Sequence, residues 1–128
     1  MKLLLDTHAV LWYWLGDSKL SGAARELIDD SANVKFVSPV THWETAIKIS
    51  LGKYTLHQPF DEFFQIGMQR TGFRDLPIQI KHTSVVSTLA LHHRDPFDRL
   101  LVAQALTELI PIVSADSALD AYGVQRLW

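Results

Sequence analysis

The chain has 128 residues, of which 48% are hydrophobic and 20% charged, and its formal net charge at pH 7 is −2. This length predicts a single domain, 1–128, that can bury a hydrophobic core, and the near-neutral charge excludes a global basic field for nucleic acid or anionic lipid. The lack of cysteine excludes disulfides, thiolate metal sites and a cysteine nucleophile.

Strands and helices are predicted to alternate along the chain. The apolar run at residues 2–5 predicts a buried strand, and the polar residues Asp6 and His8 that follow argue against a signal peptide or a membrane span. We therefore expect a cytoplasmic protein with no membrane contact. Further strands are predicted at 34–37, 73–78, 112–114 and 124–127, and helices at 8–15, around 20–28, 43–51, around 60–68, 83–91, 96–109 and 117–122.

This alternation of strands and helices predicts the fold class. It is typical of an α/β protein in which a central, mainly parallel sheet is covered by helices on both faces, a three-layer α/β/α sandwich. The sequence shows no repeats, linkers or low-complexity segments that would divide the chain.

Four acidic residues lie where such a fold brings side chains together. Asp6 and Asp116 follow predicted strands, at the carboxyl ends where open parallel sheets place their functional sites. Asp98 begins a long helical run and Glu44 lies inside another. Acids grouped without an obvious basic partner repel one another, so a fold that keeps them usually binds a cation. Because oxygen ligands favour hard ions over zinc, the leading hypothesis is a Mg²⁺ or Mn²⁺ site.

Each of these acids also has a purely structural explanation. Asp6, Asp98 and Asp116 are all placed where a carboxylate can cap a helix. Glu44 precedes Lys48 by one helical turn, which is the spacing of a surface ion pair. Capping does not explain Glu44, and it does not explain why all four acids should converge on one edge of the sheet.

Four motifs cover nearly the whole chain, namely LLLDTHAVLW, SPVTHWETAIK, HHRDPFDRLLVAQA and VSAD. In this order they resemble the PIN-domain family and, more narrowly, the VapC-like toxins of bacterial toxin–antitoxin pairs. The resemblance implies a metal-dependent endoribonuclease whose four acids, Asp6, Glu44, Asp98 and Asp116, bind Mg²⁺ or Mn²⁺. It also implies that Ser114, two positions before the last acid, steadies the site.

The same resemblance implies the partners of the protein. These are an RNA substrate, a cognate antitoxin protein that blocks the site, a second copy of the chain in a homodimer, and DNA that is contacted only through the antitoxin. In the expected mechanism, metal-activated water attacks the phosphodiester, so no protein nucleophile is needed.

Basic residues surround the third motif. Arg94 or Arg99 is a candidate phosphate contact, because a guanidinium matches the geometry of phosphate oxygens. The alternative is that Arg99 pairs with a structural acid and that His92 and His93 are solvated.

Histidine and aromatic residues near the other motifs have mainly structural interpretations. We expect His8 and His42 to be partly buried structural imidazoles rather than ligands. The aromatic run at residues 12–14 cannot all face one core, so it either contacts a partner or packs beneath a loop.

Two other functions compete with the nuclease hypothesis. One is a phosphatase or phosphotransferase in which Asp6 is the covalent nucleophile; that chemistry often needs a second acid two residues later, where this chain has His8. The other is a binding module whose carboxylates are only helix caps or ion pairs.

Overall fold

The five strands of the protein form one sheet in which all neighbouring strands are parallel. The computed structural model describes the whole chain, Met1–Trp128. The strands are β1 (Lys2–Leu5), β2 (Val34–Val37), β3 (Arg74–Asp75), β4 (Ile112–Val113) and β5 (Arg126–Leu127). Their order across the sheet is β3-β2-β1-β4-β5. A mainly parallel central sheet was the sequence prediction, and it is confirmed.

The central strand, β1, ends level with its two neighbours. Leu5 pairs with Val37 of β2 on one side and with Val113 of β4 on the other. Because the strands are parallel, the residues that follow them emerge at one edge of the sheet. Asp6 and Ser114 are therefore neighbours at this carboxyl edge, although more than a hundred residues separate them in the sequence.

Helices cover both faces of the sheet. They are α1 (Thr7–Leu15), α2 (Gly22–Asp29), α3 (Pro39–Ser50), α4 (Phe60–Thr71), α5 (Ile80–Thr88), α6 (Pro96–Glu108) and a 3₁₀ helix (Ser117–Tyr122). Successive strand residues point to opposite faces. Leu3 and Leu5 join a buried core with α1 and α2, whereas Leu4 joins a second core with α3 and α6. The predicted three-layer α/β/α sandwich is thus confirmed. None of the helices is both long enough and apolar enough to cross a membrane.

Several predicted elements have other bounds in the structure; the helix expected at 43–51, for example, begins at Pro39. The strand expected at 73–78 is reduced to the two residues of β3, and the strand expected at 124–127 is reduced to β5. Both lie at the edges of the sheet, where short strands limit unwanted pairing with other chains. The helix expected at 83–91 instead spans Ile80–Thr88, because Nδ1 of the buried His82 accepts the backbone N–H of Gln79 at 3.0 Å. Histidine is not a usual capping signal, so the sequence pattern did not reveal this start.

The aromatic run on α1 packs within the chain. Trp12 lies against Trp128, with ring centroids 5.9 Å apart. The hydroxyl of Tyr13 donates to Asp29 at 2.7 Å, and Trp14 packs among the phenylalanines of α4. The three side chains have three different surroundings, which is how one short helix accommodates them.

Candidate metal centre

Asp6 is buried directly after β1. Its side chain is 5% exposed, and its Oδ1 accepts the backbone N–H of Ala9 at 2.8 Å, so it caps α1 as the sequence allowed. Burial raises the pKa of Asp6 above its ordinary value, although hydrogen bonds from Ser114 and from the N–H of Ala9 act in the opposite direction. The negative charge of Glu44 adds to the increase. Asp6 therefore caps α1 and also lies close to another acid.

Glu44 lies in α3 and is only 3% exposed. Thr7 donates to its Oε1 at 2.8 Å, and Lys48 donates to its Oε2 at 2.6 Å. Because Thr7 follows Asp6 in the chain, the first of these bonds holds Glu44 beside the start of α1. The second is the expected one-turn ion pair, but it is not the surface pair that the sequence alternative described, since the carboxylate is buried.

Asp98 lies in the first turn of α6, where the negative charges of Asp95, Glu44 and Asp6 act on it. Burial raises the pKa of Asp98 to about 7; the next largest cause is the negative charge of Asp95, followed by that of Glu44. His93 acts in the opposite direction, and Asp6 contributes a smaller increase. Asp6, Glu44 and Asp98 thus share one neighbourhood, although they come from three different elements.

Asp116 lies close to Asp98. Its Oδ1 accepts the N–H of Ala118 at 3.0 Å and so caps the 3₁₀ helix. Its Oδ2 lies 2.9 Å from Nε2 of His93, and the same nitrogen lies 3.4 Å from Oδ2 of Asp98. The three side chains offer ligand atoms that are all within 4.8 Å of one another.

Ser114 contacts the backbone of the last acid. It is fully buried, and its Oγ accepts the backbone N–H of Asp116 at 3.1 Å. Its hydroxyl also acts to lower the pKa of Asp6. The supporting role that the resemblance implied for this serine stays a prediction.

His93 contacts two of the four acids, which the sequence did not predict. The alternative in which His93 is solvated is wrong, because its side chain is only 19% exposed and both ring nitrogens have partners. Its Nδ1 accepts the backbone N–H of Asp95 at 3.0 Å. Nothing in the local pattern HHRDP distinguishes this histidine from its exposed neighbour His92.

Arg99 has partners that neither sequence hypothesis anticipated. It forms no ion pair with an acid, so the structural-acid alternative is wrong. Its guanidinium donates to four acceptors in one region: the carbonyls of Leu89, Ala90 and His93 and the hydroxyl of Tyr122. This arginine therefore holds together the segment before α6, while Arg94 is exposed.

The two other histidines near the acids are not buried. His8 and His42 are both exposed, so the expectation of partial burial was wrong. The ring of His8 stacks on Trp12 with centroids 5.1 Å apart. His42 approaches Phe64 edge-on at 6.0 Å.

The donor set of this edge fits a hard divalent cation. The ligand atoms that lie within 4.8 Å of one another are those of Asp98, Asp116 and His93, and the structure does not bring Asp6 and Glu44 into that set. Glu44 is paired with Lys48, and Asp6 forms no ion pair. The acids are therefore not each neutralised by a basic residue of their own. Carboxylate oxygens are the ligands that Mg²⁺ and Mn²⁺ prefer, and a cation here would offset the excess negative charge.

The match to a protein family extends over nearly the whole chain. The PIN domain model matches residues 3–125. The chain belongs to the PIN domain family. No curated protein sequence matches this PIN domain.

Solved structures share the fold of this PIN domain at low sequence identity. VapBC2 from Rickettsia felis, bound to a DNA fragment from its promoter, is similar with a TM-score of 0.70 and 13% identity over 99% of this chain and 98% of that chain. VapBC-1 from nontypeable Haemophilus influenzae gives 0.69 and 14% over 99% and 97%. FitAB bound to an IR36 DNA fragment gives 0.68 and 15% over 98% and 93%. At these identities the likeness shows the fold alone.

Proposed function

We propose that this PIN domain is a Mg²⁺- or Mn²⁺-dependent endoribonuclease that acts as the toxin of a toxin–antitoxin pair. The observation that carries the proposal is the acidic group at the carboxyl edge of the sheet, in which Asp6, Glu44, Asp98 and Asp116 share too few basic partners. PIN domains are generally nucleases, which supports the same reaction class.

In this proposal the four acids hold the cation through their carboxylate oxygens. When bound, a divalent ion activates water for attack on a phosphodiester and offsets the charge that develops on the oxygens. The residues of the chain fix the acids in place: Thr7 orients Glu44, and Ser114 accepts the backbone N–H of Asp116. Several of these groups are buried, so they are held before any ligand arrives, which is what electrostatic catalysis requires.

The proposed partners follow from the neighbouring structures. VapBC2 and FitAB are described as complexes bound to DNA fragments. We extend this to a cognate antitoxin protein that blocks the acidic site of this chain, with DNA bound only through the antitoxin. A homodimer and a cytoplasmic location, where the RNA substrate is found, belong to the same proposal.

The test is RNA cleavage by the purified protein and by matched asparagine variants. Asp6→Asn and Asp116→Asn remove acids of the site, whereas Asp61→Asn changes an exposed acid in the first turn of α4. We expect the wild type and Asp61→Asn to cleave RNA with Mg²⁺ or Mn²⁺ but not with Ca²⁺ or a chelator. The two site variants should lose about 100-fold or more, as for loss of other charge-stabilising groups.

Two results would contradict the proposal. One is equal cleavage in the presence of chelator, and the other is unchanged cleavage and unchanged toxicity on expression of Asp6→Asn. No observation favours the phosphatase alternative, because the Asp6 carboxylate is 5% exposed and caps α1, and the residue two positions later is His8 rather than an acid.

A further inference from the structure

We infer that His93 is a positioning residue of the acidic site, whose Nε2–H group fixes the carboxylates of Asp98 and Asp116 for the cation without itself being a ligand. The inference rests on the proposed metal-dependent function. His93 is not one of the four acids, and each of its two ring nitrogens has a partner of its own.

The partners of His93 determine which nitrogen carries the proton. The backbone N–H of Asp95 can only donate, and it points at Nδ1 from 3.0 Å, so Nδ1 must accept. In a neutral ring the proton then lies on Nε2. This nitrogen forms a hydrogen bond with Oδ2 of Asp116 at 2.9 Å, where a carboxylate oxygen can accept, and it lies 3.4 Å from Oδ2 of Asp98. Both sides of the ring therefore agree on one tautomer.

A ring with this tautomer is a donor, and its Nε2 has no lone pair for a metal ion. The ligand atoms of His93, Asp98 and Asp116 are close enough for a shared ion. Direct ligation by Nε2 would nevertheless require the proton to leave, while the N–H of Asp95 keeps Nδ1 as an acceptor. The geometry thus favours a ring that orients the carboxylates over a ring that binds the metal.

The backbone around His93 is clamped to the same elements that carry the two acids. Its N–H donates to the hydroxyl of Tyr122 at 2.8 Å, and its carbonyl accepts from Arg99 at 3.4 Å. Arg99 follows Asp98 on α6, and Tyr122 lies in the 3₁₀ helix that Asp116 caps. Arg99 also donates to Tyr122 at 3.1 Å, which closes the network.

The contacts of Arg99 give it a structural role beside the acidic site, which a phosphate-binding role does not account for. Arg99 and Tyr122 both contact the backbone of His93. The imidazole of His93 in turn contacts two acids that come from different elements. Two carboxylates that share a cation must otherwise approach against their mutual repulsion. Polar groups that orient metal ligands typically change metal affinity by about 10- to 100-fold when they are removed.

The first test is Mn²⁺ binding by calorimetry to the full chain and three variants. His93→Ala removes the donor, His93→Gln keeps an amide N–H that can reach the carboxylates, and His57→Gln is the control at an exposed histidine between α3 and α4. We expect about 10- to 100-fold weaker binding for His93→Ala, partial recovery for His93→Gln and no change for His57→Gln. Unfolding curves without metal establish that each variant is folded.

The second test reads the ring itself in the wild-type protein, so it does not depend on how the variants fold. Nitrogen NMR of the metal-free protein should show His93 protonated on Nε2 and not on Nδ1. Pulsed EPR of the Mn²⁺-loaded protein should show no directly bound imidazole nitrogen.

The outcomes separate this inference from the proposed function. A directly ligated nitrogen, a proton on Nδ1 alone, or equally tight Mn²⁺ binding by wild type and His93→Ala would overturn the positioning role while leaving the metal site intact. If the wild type binds no Mn²⁺, the proposed function fails and the inference fails with it.

Discussion

The ammonium group of Lys48 lies 2.6 Å from Oε2 of Glu44, and the two side chains differ sharply in exposure, at 35% and 3%. Burial alone would lower the pKa of Lys48, but the hydrogen bond and charge of Glu44 raise it overall. The charges of Asp95 and Asp98 also raise it. Lys48 is therefore a positively charged side chain that lies beside the acidic site.

Replacing this lysine should make the fold depend more on an added cation. Lys48→Met leaves the buried Glu44 carboxylate without its charged partner, which we expect to lower the free energy of unfolding by about 1–3 kcal/mol in chelator. Millimolar Mg²⁺ should reduce this deficit, because a bound ion restores positive charge beside Glu44. Urea titrations with and without Mg²⁺ measure both quantities. Lys53→Met, at an exposed lysine, should leave the free energy of unfolding nearly unchanged. A loss of stability in Lys48→Met that is the same with and without Mg²⁺ would contradict this prediction.

Asp98 should destabilise the metal-free protein at neutral and higher pH. Its pKa in the folded protein is about 7, against an ordinary value of 3.8, so the unfolded chain releases this proton first as the pH rises. As the pH rises between those two values, the free energy of unfolding decreases, because the unfolded chain releases the proton and the folded protein keeps it. The decrease persists at higher pH. Asp98→Asn should then raise the thermal midpoint in chelator by about 4–8 °C at pH 8, and by less at pH 5.

The control for this stabilisation is Glu26→Gln, which changes an exposed acid on α2. Its thermal midpoint should stay close to that of the wild type at both pH values. A lower midpoint for Asp98→Asn at pH 8 would mean that the charge of Asp98 is compensated within the folded protein, contrary to the raised pKa.

Metal affinity should increase with pH for the same reason. Below pH 7 the carboxyl group of Asp98 is largely protonated, so a cation must displace that proton in order to bind. We expect the Mn²⁺ dissociation constant to fall by up to about tenfold between pH 6 and pH 7, and by much less between pH 7 and pH 8. Calorimetry in buffers of different ionisation enthalpy counts the released proton. Equal affinities at pH 6 and pH 8 would remove Asp98 from the ligand set.

Replacing Gly67 with a larger residue should destabilise the protein, because Trp14 lies directly against this position. A Cβ atom at this position would be 2.7 Å from two atoms of the indole ring, which itself packs between Phe63 and Phe73. Gly67→Ala should therefore cost about 1–3 kcal/mol through overpacking. The matched control is Gly22→Ala, where a Cβ meets nothing within 4 Å. Equal unfolding midpoints for the two variants would show that the indole can move aside.

Much of the fold could be predicted from the sequence because its signals are local. A uniformly apolar run at Leu3, Leu4 and Leu5 identifies a strand buried on both faces, and Asp6 directly after it marks the end. Helix caps such as Ser21 and Asp95 act on N–H groups two or three residues away, so the sequence alone reveals them. Strands that alternate with helices then leave a parallel sheet as the simplest arrangement, and its carboxyl edge as the place for the acids.

What surrounds those acids was decided only by the tertiary structure. The bond from Thr7 to Glu44 joins residues 37 positions apart, and the contact of His93 with Asp116 joins residues 23 apart. No periodicity or capping rule reaches across such distances. The sequence therefore determined that Asp6 and Asp116 follow strands at the edge of the sheet, because strand ends are locally encoded. Only the packing of α6 and the 3₁₀ helix beside that edge decided that His93 bridges two of the four acids, because the position of a side chain between elements depends on every contact that orients those elements.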